Sequence, residues 1–320
     1  MKKFFLLNIL SLVFILYTCG HDRTNPCDPK SDNYNFDWST FQKYSDMAWV
    51  KIPRGNTCGY LIDKFENSLS DASSESPGID QNKAPKSVAS LMPTGCITFE
   101  KAKELCKKAD KRICKKSEWL NACKGGFYDD PTSKKLKNDE IYGVYAIEYQ
   151  FPYTKASLEE IRPITDKYIP GVCNDLSYAK KKNLYNPSDT ASYSCDKKDK
   201  RKIATTPAGS LYGEGTTPGC WVSRTFSIRG ENSFGLPEGT YSYIEIFDTK
   251  NTPYVGIFDM SGNLYEWVED DDGKGVAIGG SYNSDKESQL RCDESSIDKT
   301  RDPSKAYPDV GFRCCRDIDM

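Results

Sequence analysis

The stretch Gly256-Ile257-Phe258-Asp259-Met260-Ser261-Gly262-Asn263-Leu264-Tyr265-Glu266-Trp267 reads as a strand, a turn and a second strand. The apolar lead-in from Val255 ends at Phe258, and Asp259 to Asn263 has a turn composition that can close a hairpin unaided. Leu264 to Val268 resumes as a strand, followed by Val276 to Tyr282 and Val310 to Cys314. The C-terminal third is therefore built of short strands.

Upstream, the clearest helix starts at Thr98. Thr98 is a good N-cap, Glu100 falls in the positive first turn, and Ile97 is placed to staple onto Ala102. Ala102, Leu105, Cys106 and Ala109 recur at three-to-four spacing, a face that turns Cys106 toward the core. A second helix spans Ser117 to Cys123 and stops at Gly125-Gly126, with Trp119 and Cys123 on its buried side. Trp49 to Phe65 alternates as two short strands about the Arg54-Gly55-Asn56 turn. Asn67 to Lys86 reads as loop, and so does most of Asp129 to Pro253. The basic runs at Lys180 to Lys182 and Lys197 to Lys202 read as solvated loop rather than as a nucleic-acid patch.

The first residues set the address. Met1-Lys2-Lys3 is basic, and Phe4 to Tyr17 is apolar but for Asn8 and Ser11. That run is shorter than the ~20 residues of a transmembrane helix and suits a signal peptide. Leu16-Tyr17-Thr18-Cys19-Gly20 resembles a bacterial lipobox. Residues 1–18 are thus expected to be a signal peptide, residues 19–47 the lipidated Cys19 with a flexible tether, and residues 48–320 one domain. The chain reads as an exported lipoprotein held by palmitate and related acyl chains at a bacterial envelope or surface.

Composition excludes several chemistries. Of 320 residues 38% are hydrophobic, enough for a core. Without Lys2 and Lys3 the chain carries 42 basic and 46 acidic residues, a net −4 that gathers no phosphate, so no nucleic-acid partner is expected. His21 is the only histidine and lies in the tether, which removes multi-imidazole metal sites and His-based triads. Thirteen cysteines less Cys19 leave an even twelve, which in an exported chain read as disulfides. Neighbouring strand residues face opposite ways, so Cys314 and Cys315 are expected to bond to different partners.

Five blocks in order resemble the formylglycine-generating-enzyme, or sulfatase-modifying-factor, family. They are Tyr60 to Glu66; the Thr98 helix with Lys111-Arg112-Ile113; Ser117-Glu118-Trp119 through Gly126; Gly256 to Trp267; and Gly279-Gly280-Ser281-Tyr282 with Val310 to Cys314. Together they span most of Trp49 to Arg316. The resemblance implies an α+β variant of the C-type-lectin-like fold, with two main helices, short antiparallel strands, many irregular loops and disulfide staples. It further implies the pairings Cys106–Cys314 and Cys123–Cys292. A structural calcium site carries over onto Asp259, Gly262, Leu264 and Glu266, with Asn174 near a second one.

The resemblance also implies what is missing. Family members that make formylglycine hold copper on two cysteines just beyond the Gly-Gly-Ser-Tyr strand, and those positions here are Ser284 and Gln289. Copper is therefore not expected. A second branch holds iron on three histidines, which this chain does not have. No catalytic residue is assigned. The favoured reading is a membrane-anchored domain with a binding or structural role toward an unidentified protein, peptide or glycan. Tyr265, Trp267, Tyr282 and Trp221 are either a groove for such a ligand or, by about two to one, core. Sugar recognition of the lectin kind is disfavoured, because Glu-Pro-Asn and Gln-Pro-Asp signatures are missing. The alternative is a thiol-dependent oxidoreductase acting on a protein, using whichever of Cys27, Cys58, Cys96, Cys114, Cys173, Cys195, Cys220 and Cys315 are free.

Overall fold

The computed structural model describes residues 43–44, 46–50, 59–124, 150–156, 161–163, 167–196, 201–211, 218–223, 244–245 and 256–318. The lipobox with Cys19, His21, Cys27, the Arg54-Gly55-Asn56 turn, Cys58 and Gly125-Gly126 lie outside these residues.

Helix α1, Phe99–Lys108, starts where Thr98 accepts a hydrogen bond from Lys101 N through its side chain, with Glu100 in the first turn and Lys107 and Lys108 in the last. Phe99, Ala102, Leu105 and Cys106 form its buried face. Helix α2, Lys116–Cys123, buries Trp119, Ala122 and Cys123. At its start Glu118 Oε2 accepts from Lys115 N at 2.9 Å. A short third helix, α3 (Leu176–Lys181), is capped by Asp175, whose side chain accepts from Tyr178 N.

The strands fall into three small sheets. The first runs in the order β3 (Arg112–Ile113), β12 (Cys314–Asp317), β2 (Tyr60–Asp63), β1 (Met47–Val50), β7 (Ile244–Glu245). β1 and β2 are antiparallel, Val50 opposite Tyr60, as two strands about one turn require. The second sheet is β10 (Gly275–Ile278), β9 (Tyr265–Glu269), β11 (Val310–Phe312). The third is β5 (Ile161–Pro163), β4 (Tyr153–Ala156), β6 (Gly219–Ser223), β8 (Gly256–Phe258).

The stretch from 129 to 253 is mostly loop where it is described, as expected, but it also supplies β4 to β7 and α3. Those strands have two to five residues each, too short for local periodicity to mark them. Not all pairing is antiparallel, because β11 runs parallel to β9 with Val310 opposite Tyr265. A parallel pair needs a long crossover, and the chain between β9 and β11 provides it. The aromatic residues take the favoured core reading and do not form an open groove. Trp221 and Trp267 are fully buried, and Tyr265 and Tyr282 are each 2% exposed.

Strand β12 lies between two hydrophobic clusters. Cys314 belongs to the one around α1, with Leu105, Phe312 and Trp267. Cys315 belongs to the other, with Trp119, Ile62 and Ile278. The alternation of a strand thus sends two neighbouring sulfurs to opposite sides: Cys314 bonds to Cys106 and Cys315 to Cys114. Cys123–Cys292, Cys96–Cys195 and Cys173–Cys220 complete the disulfides among the described residues. Gly279 permits a close approach in the core. Its φ is +96°, and a Cβ there would sit 2.7 Å from Trp119 and 2.8 Å from the Met260 carbonyl oxygen. Among the described residues no helix is long and apolar enough to cross a membrane.

Candidate functional site

The turn after β8 is the centre of the buried polar structure. Asp259 and Asn263 adopt left-handed φ of 57° and 58°, which brings the chain back on itself into β9. Asn263 Nδ2 donates to Glu66 Oε2 at 2.5 Å, and Leu264 N donates to Glu66 Oε1 at 3.0 Å. Asp259 Oδ2 accepts from Gly209 N at 2.6 Å. Asn174 meets the same turn: its carbonyl accepts from Asn263 N at 2.8 Å, and its Nδ2 donates to Asn263 Oδ1 at 2.9 Å. A Cβ on Gly262 would lie 2.8 Å from the Asn174 carbonyl oxygen, so glycine is required where these segments touch.

Glu266, one strand residue further, is paired with Arg313 from the bend between β11 and β12. Arg313 Nη2 lies 2.6 Å from Oε1 and Nε 2.7 Å from Oε2, with side chains 0% and 1% exposed. Trp119 Nε1 donates to the same Oε2 at 2.7 Å. The rest of the guanidinium donates to the carbonyls of Asp63 and Phe258. One arginine thereby ties the ends of β2 and β8 to β9.

Glu66, Asp259 and Glu266 share this single cation. Burial pushes the Glu66 carboxyl well above its usual range, and the charges of Asp259 and Glu266 push the same way. Burial also raises Asp259, to about 6.

This geometry tests the calcium set. One observation favours it, since Asn174 Oδ1 is buried without a hydrogen-bond partner. The others do not. Both oxygens of Glu266 are taken by Arg313 and Trp119, so an ion there would face a guanidinium. Among the described residues no three His, Cys, Asp or Glu side chains converge as metal ligands. Asp259, Gly262, Leu264, Glu266 and Asn174 are brought together around one turn, but as a hydrogen-bonded core that does not fit calcium.

Ser284 and Gln289 stand beside Tyr265. Ser284 Oγ accepts from Ser281 N at 2.9 Å and donates to the Tyr265 phenol oxygen at 3.3 Å. Gln289 Nε2 donates to that oxygen at 3.0 Å, while its Oε1 accepts from Lys286 N at 3.1 Å. Burial raises the Tyr265 phenol and keeps it neutral. Arg301 lies 5.5 Å from the Tyr265 ring and pairs with Asp298 and Asp309. Ser284 is 1% exposed, so this position is closed and its polar atoms are satisfied. Hydroxyl and amide donors do not fit copper(I), which takes soft sulfur ligands.

Sequence reading gave no role to Glu66 or Arg313, and gave Tyr265 only a place in a groove or the core, with no polar role. Arg313 carried a usable signal: a lone charge in the apolar run Val310 to Cys314 needs a buried counter-charge. Tyr265 carried none, because its partners come from a loop about twenty residues on.

Residues 197–318 match the family described as Sulfatase-modifying factor enzyme 1-like domain. No curated protein sequence matches the chain. Among solved structures, PvdO from Pseudomonas aeruginosa is 14% identical at a TM-score of 0.35, covering 85% of this chain and 90% of that one. CarF is 15% identical at a TM-score of 0.34, covering 83% and 89%. From residue 197 to residue 318, the span holding the Asp259 turn, the Tyr265 phenol and Arg313, the chain is similar to the sulfatase-modifying factor enzyme 1-like domain.

Proposed function

We propose that this chain is a membrane-anchored extracytoplasmic lipoprotein, attached through Cys19, whose sulfatase-modifying-factor-like domain binds a ligand or braces an assembly and does not catalyse. The observation that carries this reading is the filling of the two positions by Ser284 and Gln289, both hydrogen-bonded to Tyr265. Neither side chain supplies a thiolate or a redox couple. The disulfides support an oxidising compartment.

The oxidoreductase alternative loses most of its candidates. Cys96, Cys114, Cys173, Cys195, Cys220 and Cys315 are all bonded. Only Cys27 and Cys58 remain from the candidate set, outside the described residues.

Thiol titration of the unreduced, denatured protein tests the proposal, together with assay of a cysteine-bearing sulfatase peptide. The expected result is no free thiol and no turnover. Two reactive thiols with peptide oxidation would restore the enzymatic reading. Mass spectrometry of the mature N-terminus checks acylation of Cys19.

A further inference from the structure

We infer that a recess formed by Arg201, Tyr282, Pro77, Pro93 and Pro308 binds a carboxylate group. This deepens the binding reading above and rests on it.

The recess combines proline walls with the polar side chains of Thr205 and Tyr282 and two cations, Arg201 and Lys202. Its empty space, part of it open to solvent, is about 250 Å³, and the room in it for the centre of a water-sized group is only about 10 Å³. It therefore takes the tip of a ligand and leaves the remainder outside. Arg201 is partly buried, and among the described residues no carboxylate pairs with it. Desolvation lowers its pKa, the mark of a cation held from water without an anion. Lys111, Arg301 and Arg313 are by contrast paired: Lys111 with Asp46 and Asp63, Arg301 with Asp298 and Asp309, Arg313 with Glu266. An unpaired guanidinium at a recess is costly unless a ligand neutralises it.

The site is also rigidly framed. The Cys96–Cys195 disulfide braces the chain next to Gly95 of the recess. Cys96 N donates to the Tyr307 carbonyl at 2.8 Å, fixing the wall at Pro308. Lys202 N donates to the Ser192 carbonyl at 2.8 Å, anchoring Arg201 from its other side. Burial keeps Tyr282 neutral, so its hydroxyl is a second donor.

The choice of anion follows from the charge. Lys202, the other cation of the recess, is already paired with Asp189 at 2.9 Å. A single planar guanidinium with two parallel donors matches a singly charged carboxylate, whereas a phosphate dianion demands further cations. Proline and tyrosine walls suit the short alkyl stem that carries it. Such a group belongs either to an acidic side chain of a protein or to a small free acid.

Calorimetric titration of the full chain with sodium propionate, acetyl-glutamate amide, acetyl-glutamine amide and inorganic phosphate tests the inference. Saturable binding is expected for the two carboxylates and not for the glutamine compound. R201Q should weaken it by about tenfold or more, and R201K, which keeps charge but loses the fork, should weaken it as well. Tighter binding of the glutamate compound than of propionate points to a protein ligand, and equal binding to a free acid. Without ligand, R201Q should melt no lower than the native chain, because it removes an unpaired charge. Undiminished binding by R201Q, preference for phosphate or for the glutamine compound, absence of carboxylate binding, or a sharply lowered melting temperature of R201Q would each overturn the assignment. None of these outcomes touches the thiol count or peptide turnover, which test the non-catalytic reading separately.

Discussion

Ser284 donates a hydrogen bond to the phenol oxygen of Tyr265, at 3.3 Å, and Gln289 donates to the same oxygen at 3.0 Å. The two positions implied to hold copper in catalytic relatives thus converge on one atom. Cysteines at both would bring two sulfurs beside a single point. The double variant S284C/Q289C should therefore bind one copper(I) per chain, and the native protein none at that place. Competition with a chelating dye measures it; equal copper uptake by both proteins would remove the link between these positions and a metal. Y265F, which leaves both donors without their acceptor, should cost about 1–2 kcal/mol of stability by chemical denaturation.

Glu266 and Arg313 form an ion pair with almost no exposure of either side chain. Removing one partner leaves a charge buried in a low-dielectric core. E266Q should destabilise the chain by about 3–5 kcal/mol, with a smaller loss for the pair variant E266L/R313M of similar volume. Urea denaturation of the single and double variants reads this directly, and an E266Q protein as stable as the native one would refute the structural role.

The adjacent sulfurs of Cys314 and Cys315 brace opposite faces of β12. Each closes a loop of about two hundred residues, with sequence separations of 208 and 201. Loss of either should lower stability by about 2–5 kcal/mol, the range for long native loops. C106S/C314S and C114S/C315S double variants test the two faces separately. Peptide mapping without reduction should recover both cross-links; a Cys314–Cys315 bond would contradict the strand geometry.

Asp259 sets a pH dependence. Its folded pKa is about 6, above its ordinary 3.8, and Glu66 is raised further in the same direction. Between those values the folded chain holds protons that the unfolded chain has released. Stability therefore falls as pH rises from about 4 through about 6, and the loss persists above it. Melting temperature should be higher at pH 5 than at pH 7. D259N should flatten this difference and gain on the order of 3 kcal/mol at pH 7, since one pKa unit corresponds to about 1.4 kcal/mol. Circular dichroism melts at both pH values decide it, and a higher melting temperature at pH 7 than at pH 5 would reverse the sign.

Local chemistry was legible in the chain. Thr98 marked the start of α1 because a side-chain oxygen there meets a free amide two or three residues on. The opposed directions of Cys314 and Cys315 followed from strand alternation alone. Strands of the stretch between α2 and β8 were not legible, since they have only two to five residues each and β6 and β7 pair with segments far along the chain.

The amino-acid sequence by itself determined the export signal reading, the scarcity of histidine, the parity of cysteines and the absence of thiols at 284 and 289. These are facts of residue type, and no fold alters them. Only the tertiary structure decided that Glu266 answers Arg313 and not an ion, that Tyr265 gathers Ser284 and Gln289, and that Arg201 faces a proline-lined recess. Such relationships depend on which segments meet across long separations. Burial then fixes what each charge must do, because a group removed from water has to find its partner within the fold or in a ligand.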